Sequence, residues 1–281
     1  MIYINASALK LLHCNRRFYL TVNEGWTSKI QPNDVIFGSA LHKFLKNRHF
    51  KNPHLAALEA RVWFEAQNTI IRKAYLTPQY FTETCQKLLK RTSPYTTINT
   101  GTENALVEQT FEIPLSPNIR FCGTIDDMAE DSHENIYFRD WKSTGSYNRG
   151  EFLNNHALST QLIGYLWGIR THQRAWPASS LSQKKFTGAI IEGIFLTTSG
   201  AEFQTSDVFS FKDETLDFFE ERLMELVARM PENSPTGLFN NSCCSGKDFP
   251  CDFFDYCRLG AKPEFLKANY NQAPYNPTLW N

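Results

Sequence analysis

Positive charge is not in excess in this chain. Lysine plus arginine and aspartate plus glutamate each number 29 in 281 residues, so the formal net charge is zero. A protein that coats nucleic acid through bulk charge would be basic. Any nucleic-acid contact here has to come from a local groove, with acidic residues segregated elsewhere. Long apolar runs are also missing. The best stretch, Gly188 to Leu196, is broken by Glu192 and falls short of the roughly 18 residues a membrane helix needs. The first residues carry no positive segment ahead of an apolar stretch and no small-residue cleavage site. No signal peptide and no membrane partner are therefore expected, and a soluble cytoplasmic protein is. Internal repeats and low-complexity linkers are absent, and so is any close Cys-x-x-Cys pair of the zinc-ribbon kind.

At 42% hydrophobic and 21% charged residues, the chain has the composition of an ordinary folded protein able to bury a large core. Its seven cysteines are an odd number, and Cys244, Cys251 and Cys257 crowd near one end. In a reducing compartment, such crowding favours metal ligation over disulfides.

The hydrophobic pattern predicts helices first. Asn5 or Ser7 caps a short one ending near Cys14. Others follow over Asp34 to Arg48, Pro53 to Tyr75 and Gln79 to Arg91. Three β-favouring runs come next, Ala105–Leu115, Ile119–Ala129 and Asn135–Trp141. Then come a long helix over Phe152 to His172, a strand pair over Gly188–Thr198 and Glu202–Phe211, and an amphipathic helix over Lys212 to Met230. The tail from Pro231 reads as irregular. This order predicts an α/β protein with a mixed central sheet flanked by helices. It divides into an N-terminal helical region (1–100), a core (101–230) and a Cys-rich tail (231–281), all in one integrated domain.

Chemistry-bearing residues fall on this frame in order. Asp140-Trp141-Lys142 ends a strand. Alternation along the strand puts Trp141 on one face and returns Asp140 and Lys142 to the other. The bland reading is a surface ion pair. The functional one makes Asp140 a ligand to Mg²⁺ or Mn²⁺ and Lys142 the ammonium that lowers the pKa of an attacking water or neutralises a phosphate. If the strands flanking Ser132-His133 form a hairpin, Asp126 lies beside Asp140 while Asp127 points to the opposite face. Two adjacent buried carboxylates repel unless a cation lies between them. His42 is either a core histidine or a third ligand, and Gly38 one turn earlier allows close approach of another backbone. Gln161 and Tyr165 share a helix face, suited to a phosphate and a sugar or base. Glu108 either joins the metal shell or makes a salt bridge. Cys85 and Cys122 read as core residues. Arg16, Arg17, Phe18 and Tyr19 either pack a helix end or meet phosphates and bases.

The ordered set of His42, Gly123-x-x-Asp126, Asp140-Trp141-Lys142 and Gln161-x-x-x-Tyr165 resembles the RecB-type branch of the PD-(D/E)XK nuclease superfamily. The flanking Cys14 and Cys244, Cys251 and Cys257 are similar to its iron–sulfur subset, which includes CRISPR-adaptation exonucleases, AddB-type nuclease domains and phage relatives. The opening Ser7-Ala-Leu-x-x-Leu-x-x-Cys14-x-x-x-Phe18-Tyr19 and the closing Pro250-Cys251-x-x-Phe254-x-x-Cys257 fit the ends of those families. The resemblance implies a restriction-endonuclease-like core, with His42, Asp126, Asp140 and the Trp141 carbonyl holding Mg²⁺ or Mn²⁺. It implies Lys142 as the catalytic lysine and Gln161 and Tyr165 as the DNA-orienting pair. It also implies a 4Fe–4S cluster on Cys14, Cys244, Cys251 and Cys257, with zinc as the alternative and Cys243 as a competing ligand. The implied activity is a DNA exonuclease acting on single strands or DNA ends, in DNA processing, recombination and repair, or CRISPR or phage DNA metabolism. No helicase motif is present, so any motor would be a separate helicase or DNA-processing partner. A structure-specific or RNA-directed endonuclease shares the chemistry. A non-catalytic nucleic-acid-binding or assembly module with a structural Cys₄ metal site is the reading from another class.

Overall fold

Capping residues and breakers set most element boundaries. The computed structural model describes residues 1–12, 14–67, 69–99, 105–157, 159–172, 186–228, 230 and 251–275. In chain order these form β1 (Ile2–Ile4), α1 (Ala6–Leu11), α2 (Asn15–Phe18), a π-helical turn (Tyr19–Asn23), β2 (Trp26–Ser28), β3 (Gln31–Pro32), α3 (Asn33–Asn47) and α4 (Pro53–Glu65). Then come β4 (Thr69–Ile70), α5 (Pro78–Lys90), β5 (Thr96–Thr97), β6 (Val107–Ser116), β7 (Ile119–Glu130), β8 (Ile136–Thr144), α6 (Arg149–Asn154) and α7 (Thr160–His172). The described elements end with β9 (Phe186–Thr197), β10 (Gly200–Thr205), α8 (Asp213–Ala228), α9 (Phe254–Arg258), α10 (Pro263–Asn269) and β11 (Tyr270–Gln272). They gather into two compact units. One holds Met1–Ile30, Glu112–Gly123 and Phe218–Trp280, the other Gln31–Phe111 and Thr124–Asp217.

In the second unit, β7 and β8 form an antiparallel hairpin with Asp127 opposite Arg139. Asp131 closes its turn, accepting the N–H groups of His133 and Asn135 at 2.8 and 3.0 Å. β8 then runs parallel to β9, and β9 antiparallel to β10. A parallel neighbour requires a crossover, which α6 and α7 occupy in sequence. Helices α3, α4 and α5 bury Phe37, Phe44, Phe64 and Phe81 together with Trp141, Ile194 and Leu196 from the strands. The Phe37 ring meets Phe64 and Phe81 edge-on at 5.5 and 5.3 Å. Asn52 and Thr77 cap α4 and α5, each followed by a proline in the first turn.

Two helices differ from the sequence expectation. The helix expected over Pro53 to Tyr75 stops at Glu65, because the β-branched Thr69-Ile70 pairs with Gln31-Pro32 instead. Asn33 Oδ1 holds that turn by accepting the Arg72 and Lys73 N–H groups at 2.9 and 3.2 Å. The helix expected over Phe152 to His172 is two: α6 ends at Asn154, and Ser159 Oγ accepts the Leu162 N–H at 3.2 Å to start α7.

In the first unit, β1 runs parallel to Ile119–Phe121 of β7. Asn5 caps α1 through the Ala8 N–H at 2.8 Å. The tail expected to be irregular contains α9, α10 and β11, and β11 pairs antiparallel with β2. Gly25 makes that pairing feasible. It adopts φ +72°, and a Cβ there would lie 1.6 Å from the Ala273 carbonyl oxygen, so no side chain fits. No described helix is long and apolar enough to cross a membrane.

Candidate active site

The hairpin register continues past Asp127–Arg139 to set Asp126 beside Asp140, while Asp127 faces the other way. Asp127 is the bland partner the alternation predicts, bound to the Arg139 guanidinium and to Thr97 Oγ1 at 3.0 Å. On the opposite face Asp126 and Asp140 are 8% and 1% exposed. Asp126 Oδ2 accepts the Trp141 N–H at 2.8 Å. The N–H and C=O of one strand residue leave toward the same edge, so the Trp141 carbonyl is also on the Asp126 side. The Trp141 side chain packs in the α3–α5 core.

Helix α3 brings His42 to this point. Its Nδ1 lies 3.5 Å from Asp126 Oδ2. Gly38, one turn earlier, faces β8, where a Cβ would meet Ser143 Oγ at 2.9 Å. The third member of the cluster is Glu108. One ligand atom each from His42, Glu108 and Asp126 lie within 4.8 Å of one another. Glu108 holds its position with φ +52°, a left-handed conformation that costs a non-glycine residue on the order of 1 kcal/mol or more.

Asp140 is held differently. The Lys142 ammonium hydrogen-bonds Asp140 Oδ1 at 2.9 Å. It also lies 2.8 Å from Oδ2, which is buried and accepts no hydrogen bond. Gln161 Nε2 donates to Asp140 Oδ1 and to the Tyr165 hydroxyl, both at 3.2 Å. Tyr165 is 4% exposed, with its ring edge-on to Phe111 and Phe138 at 5.9 and 5.8 Å. Gly168, one turn on, lets Phe111 lie against the helix, since a Cβ there would fall 2.5 Å from the ring.

The charged groups here shift one another's titration. Burial disfavours the Asp126 carboxylate, but His42, Lys142 and the Trp141 N–H outweigh it and hold its pKa below the ordinary value. Asp140 is raised: burial dominates, Lys142 opposes it, and Asp126 adds repulsion. Burial disfavours the Lys142 ammonium, yet Asp140 and Asp126 raise its pKa. His42 is likewise raised, with Asp126 overcoming desolvation. Glu108 is raised by burial and by Asp126, against Lys46 and His42. An acid-rich pocket with a buried carboxylate oxygen that accepts no hydrogen bond and a histidine at its edge suits a hard divalent cation.

The whole span from the first helix to α9 also matches one family. Residues 4–258 fit the model of the PD-(D/E)XK nuclease superfamily. The chain belongs to that superfamily. As a PD-(D/E)XK nuclease it is of the class that hydrolyses phosphodiesters with divalent cations such as Mg²⁺ or Mn²⁺. It is 24% identical over 177 residues to an ATP-dependent helicase/deoxyribonuclease subunit of Streptococcus pyogenes serotype M49 (strain NZ131), covering 59% of this chain and 16% of that protein. The counterpart from serotype M4 (strain MGAS10750) matches to the same extent. The chain thus spans about a sixth of the length of these relatives. A solved structure described as the crystal structure of SSO0001 aligns over 92% of this nuclease and 86% of its own chain. Its TM-score is 0.36 at 15% identity.

The described cysteines of the expected cluster lie in the first unit. Cys14, Cys251 and Cys257 are part-buried thiols without disulfide partners. Cys251 and Cys257 pack on a small apolar cluster of Leu20, Trp26, Phe253, Leu266 and Tyr270. Burial pushes the Cys251 thiol up to about 11, and Cys14 is close enough to add to the rise. Arg16 Nη1 donates to Cys257 Sγ at 3.7 Å, and Arg17 pairs with Asp252 at 2.9 Å. Cys243, Cys244 and Pro250 lie outside the described residues. Phe18 is 1% exposed and belongs to the core, so it does not meet bases. Cys85 and Cys122 are buried, as their patterns predict.

Proposed function

We propose that this chain is a Mg²⁺- or Mn²⁺-dependent DNA exonuclease acting on single strands or DNA ends. The observation that carries the reading is the buried Asp126–Asp140 pair with Lys142 against Asp140 and His42 against Asp126. In this reading His42, Asp126, Asp140 and the Trp141 carbonyl hold the cation. Glu108, brought within reach by the fold, joins that set. The bound cation supplies positive charge against the phosphate oxygens. Lys142 adds a second positive charge, fixed by Asp140 so that it needs no reorganisation as the phosphorus is attacked in line. Gln161, already donating to Asp140 and Tyr165, orients the phosphate, and Tyr165 backs it with its buried ring.

The similarity to helicase/deoxyribonuclease subunits supports DNA as substrate and a helicase as partner. Cys251 and Cys257 on one apolar cluster, with Cys14 near enough to Cys251 to act on it, support a 4Fe–4S cluster completed by Cys244, with zinc as the competing occupant. Such a cluster would tie the tail (231–281) to the N-terminal region (1–100), with the nuclease core (101–230) between them.

The test is cleavage of end-labelled linear and circular single-stranded DNA with Mn²⁺ by the full chain and by Asp140→Ala. The reading expects loss of linear-substrate cleavage in the variant and no cleavage of circles by the full chain. Near-normal activity in Asp140→Ala overturns the site. Cleaved circles make the enzyme an endonuclease instead.

A further inference from the structure

The face of β8 opposite the acids carries a second charged cluster that phosphodiester hydrolysis does not use. The guanidinium carbons of Arg139, Arg48 and Arg91 stand 5.2, 5.5 and 5.9 Å from the centre of the Trp141 ring. Two of the three have counter-charges. Arg139 donates through Nε to Asp127 Oδ2 at 2.9 Å and through Nη1 to the Tyr95 carbonyl at 3.2 Å. Arg91 donates through Nη2 to Glu192 Oε2 at 2.5 Å and to Thr205 Oγ1 at 2.8 Å. Among the described residues Arg48 forms no ion pair. Its side-chain bond goes from Nε to the uncharged ring of the neighbouring His49, at 3.4 Å.

Three guanidinium groups therefore face two carboxylates, and the surplus positive charge, on Arg48, is half-buried. Burial and the neighbouring Arg139 and Arg91 lower the Arg48 pKa to about 10, against Asp127 and Glu192, and burial with Arg48 and Arg139 lowers His49 to about 4, keeping its ring neutral. Two further buried atoms lack partners, a donor at Arg91 Nη1 and an acceptor at Asp127 Oδ1. A water molecule can satisfy such atoms but leaves the charge uncompensated. A half-buried cation without an ion-pair partner is poorly compensated, and a fold that gathers three guanidinium groups around one ring suits an oxyanion that accepts several charge-assisted hydrogen bonds.

We propose that Arg48 and Arg91, over the Trp141 ring, form a binding site for a phosphate monoanion or dianion, separate from the Asp126–Asp140 pocket. The ligand is inorganic phosphate or the terminal phosphate of a nucleotide or DNA strand. All three share the tetrahedral oxyanion that the two guanidinium groups recognise. The site does not depend on the nuclease reading, because none of its residues belongs to the acidic pocket except through the backbone of Trp141.

The experiment measures thermal unfolding and calorimetric binding of the full chain at constant ionic strength with chelator present. The probes are low-millimolar inorganic phosphate, a deoxynucleoside 5′-monophosphate, and oligonucleotides with and without a 5′-phosphate. The variants are Arg48→Met, Arg48→Lys and, as a control for lost surface charge, Arg61→Ala. Phosphate should stabilise the parent and Arg61→Ala alike, and Arg48→Met should bind at least about tenfold more weakly. Arg48→Met should also unfold at a higher temperature than the parent in phosphate-free buffer, since a half-buried charge without an ion pair is gone. Arg48→Lys, which keeps the charge, should keep a reduced response. Selective response to 5′-phosphorylated DNA identifies the strand end as the source, and response to all three phosphates identifies a general phosphate site. No phosphate-specific stabilisation of the parent, or an equal one in Arg48→Met, overturns the proposal.

Discussion

Replacing Lys142 by methionine tests the electrostatics of the acidic pocket directly. The ammonium lies 2.9 and 2.8 Å from the two Asp140 oxygens. At an effective dielectric constant of about 20, a unit pair at that distance attracts by about 6 kcal/mol. Much of that attraction offsets the burial of both charges. What decides the variant is the carboxylate left behind: Asp140 is 1% exposed and beside Asp126, and stripping one partner from a buried pair costs about 3–5 kcal/mol. With a urea slope of about 3 kcal/mol/M, the unfolding midpoint in chelator should fall by about 1 M or more. Adding Mn²⁺ should then reverse part of the loss. A cation present at about 100 times its Kd stabilises the folded state by about 2.7 kcal/mol. The increment should be larger in Lys142→Met than in the parent, because the variant has lost a positive charge that repels the cation. Cleavage should be lost in both conditions. A midpoint unchanged in chelator would refute the reasoning, and so would a Mn²⁺ increment no larger than the parent's.

Gly168→Ala puts a Cβ about 2.5 Å from the Phe111 ring, so overpacking should destabilise the protein by about 1–3 kcal/mol, seen as a lower urea midpoint. A variant as stable as the parent would show that Phe111 moves freely. His49 gives a pH signature. Burial, with Arg48 and Arg139, lowers its pKa to about 4, against about 6.5 when unfolded. The unfolded chain therefore binds the proton first, and the His49 contribution to stability is full above about 6.5 and lost as pH falls toward about 4. His49→Gln should flatten the urea midpoint between those pH values, and an unchanged slope would remove His49 from the cause. Cys14→Ser should lose iron and acid-labile sulfide from anaerobically purified protein, together with stability. A parent chain that carries one equivalent of zinc and no iron would sink the cluster while leaving the nuclease intact.

The pairing of Asp126 with Asp140 was legible because a hairpin turn at Ser132-His133 makes the register a matter of counting. The placement of Asp127 on the opposite face followed from the same alternation. Glu108 was visible only as a candidate, since its place among the ligands depends on a left-handed backbone at one residue, which no side-chain pattern encodes. Gly168 carried no signal at all, because its constraint is the Phe111 ring from a distant strand. The helix breaks after Glu65 and Asn154 were missed for a related reason. A strand partner at Gln31-Pro32 and a cap at Ser159 outweigh helical periodicity that would otherwise continue.

What the sequence determined by itself was therefore local. It contained the alternation that separates Asp140 and Lys142 from Trp141, the helical spacing of Gly38 with His42 and of Gln161 with Tyr165, and the order of elements that makes a mixed sheet. Tertiary structure decided which groups meet across the chain. Asp140 takes Lys142 and Gln161, and Asp126 takes His42 and the Trp141 N–H. Arg48 is left without a counter-ion among the described residues, although the chain as a whole is neutral. Net charge is a sum over residues, whereas the energy of a buried charge depends on the few groups within a few ångströms of it, and only the fold chooses those.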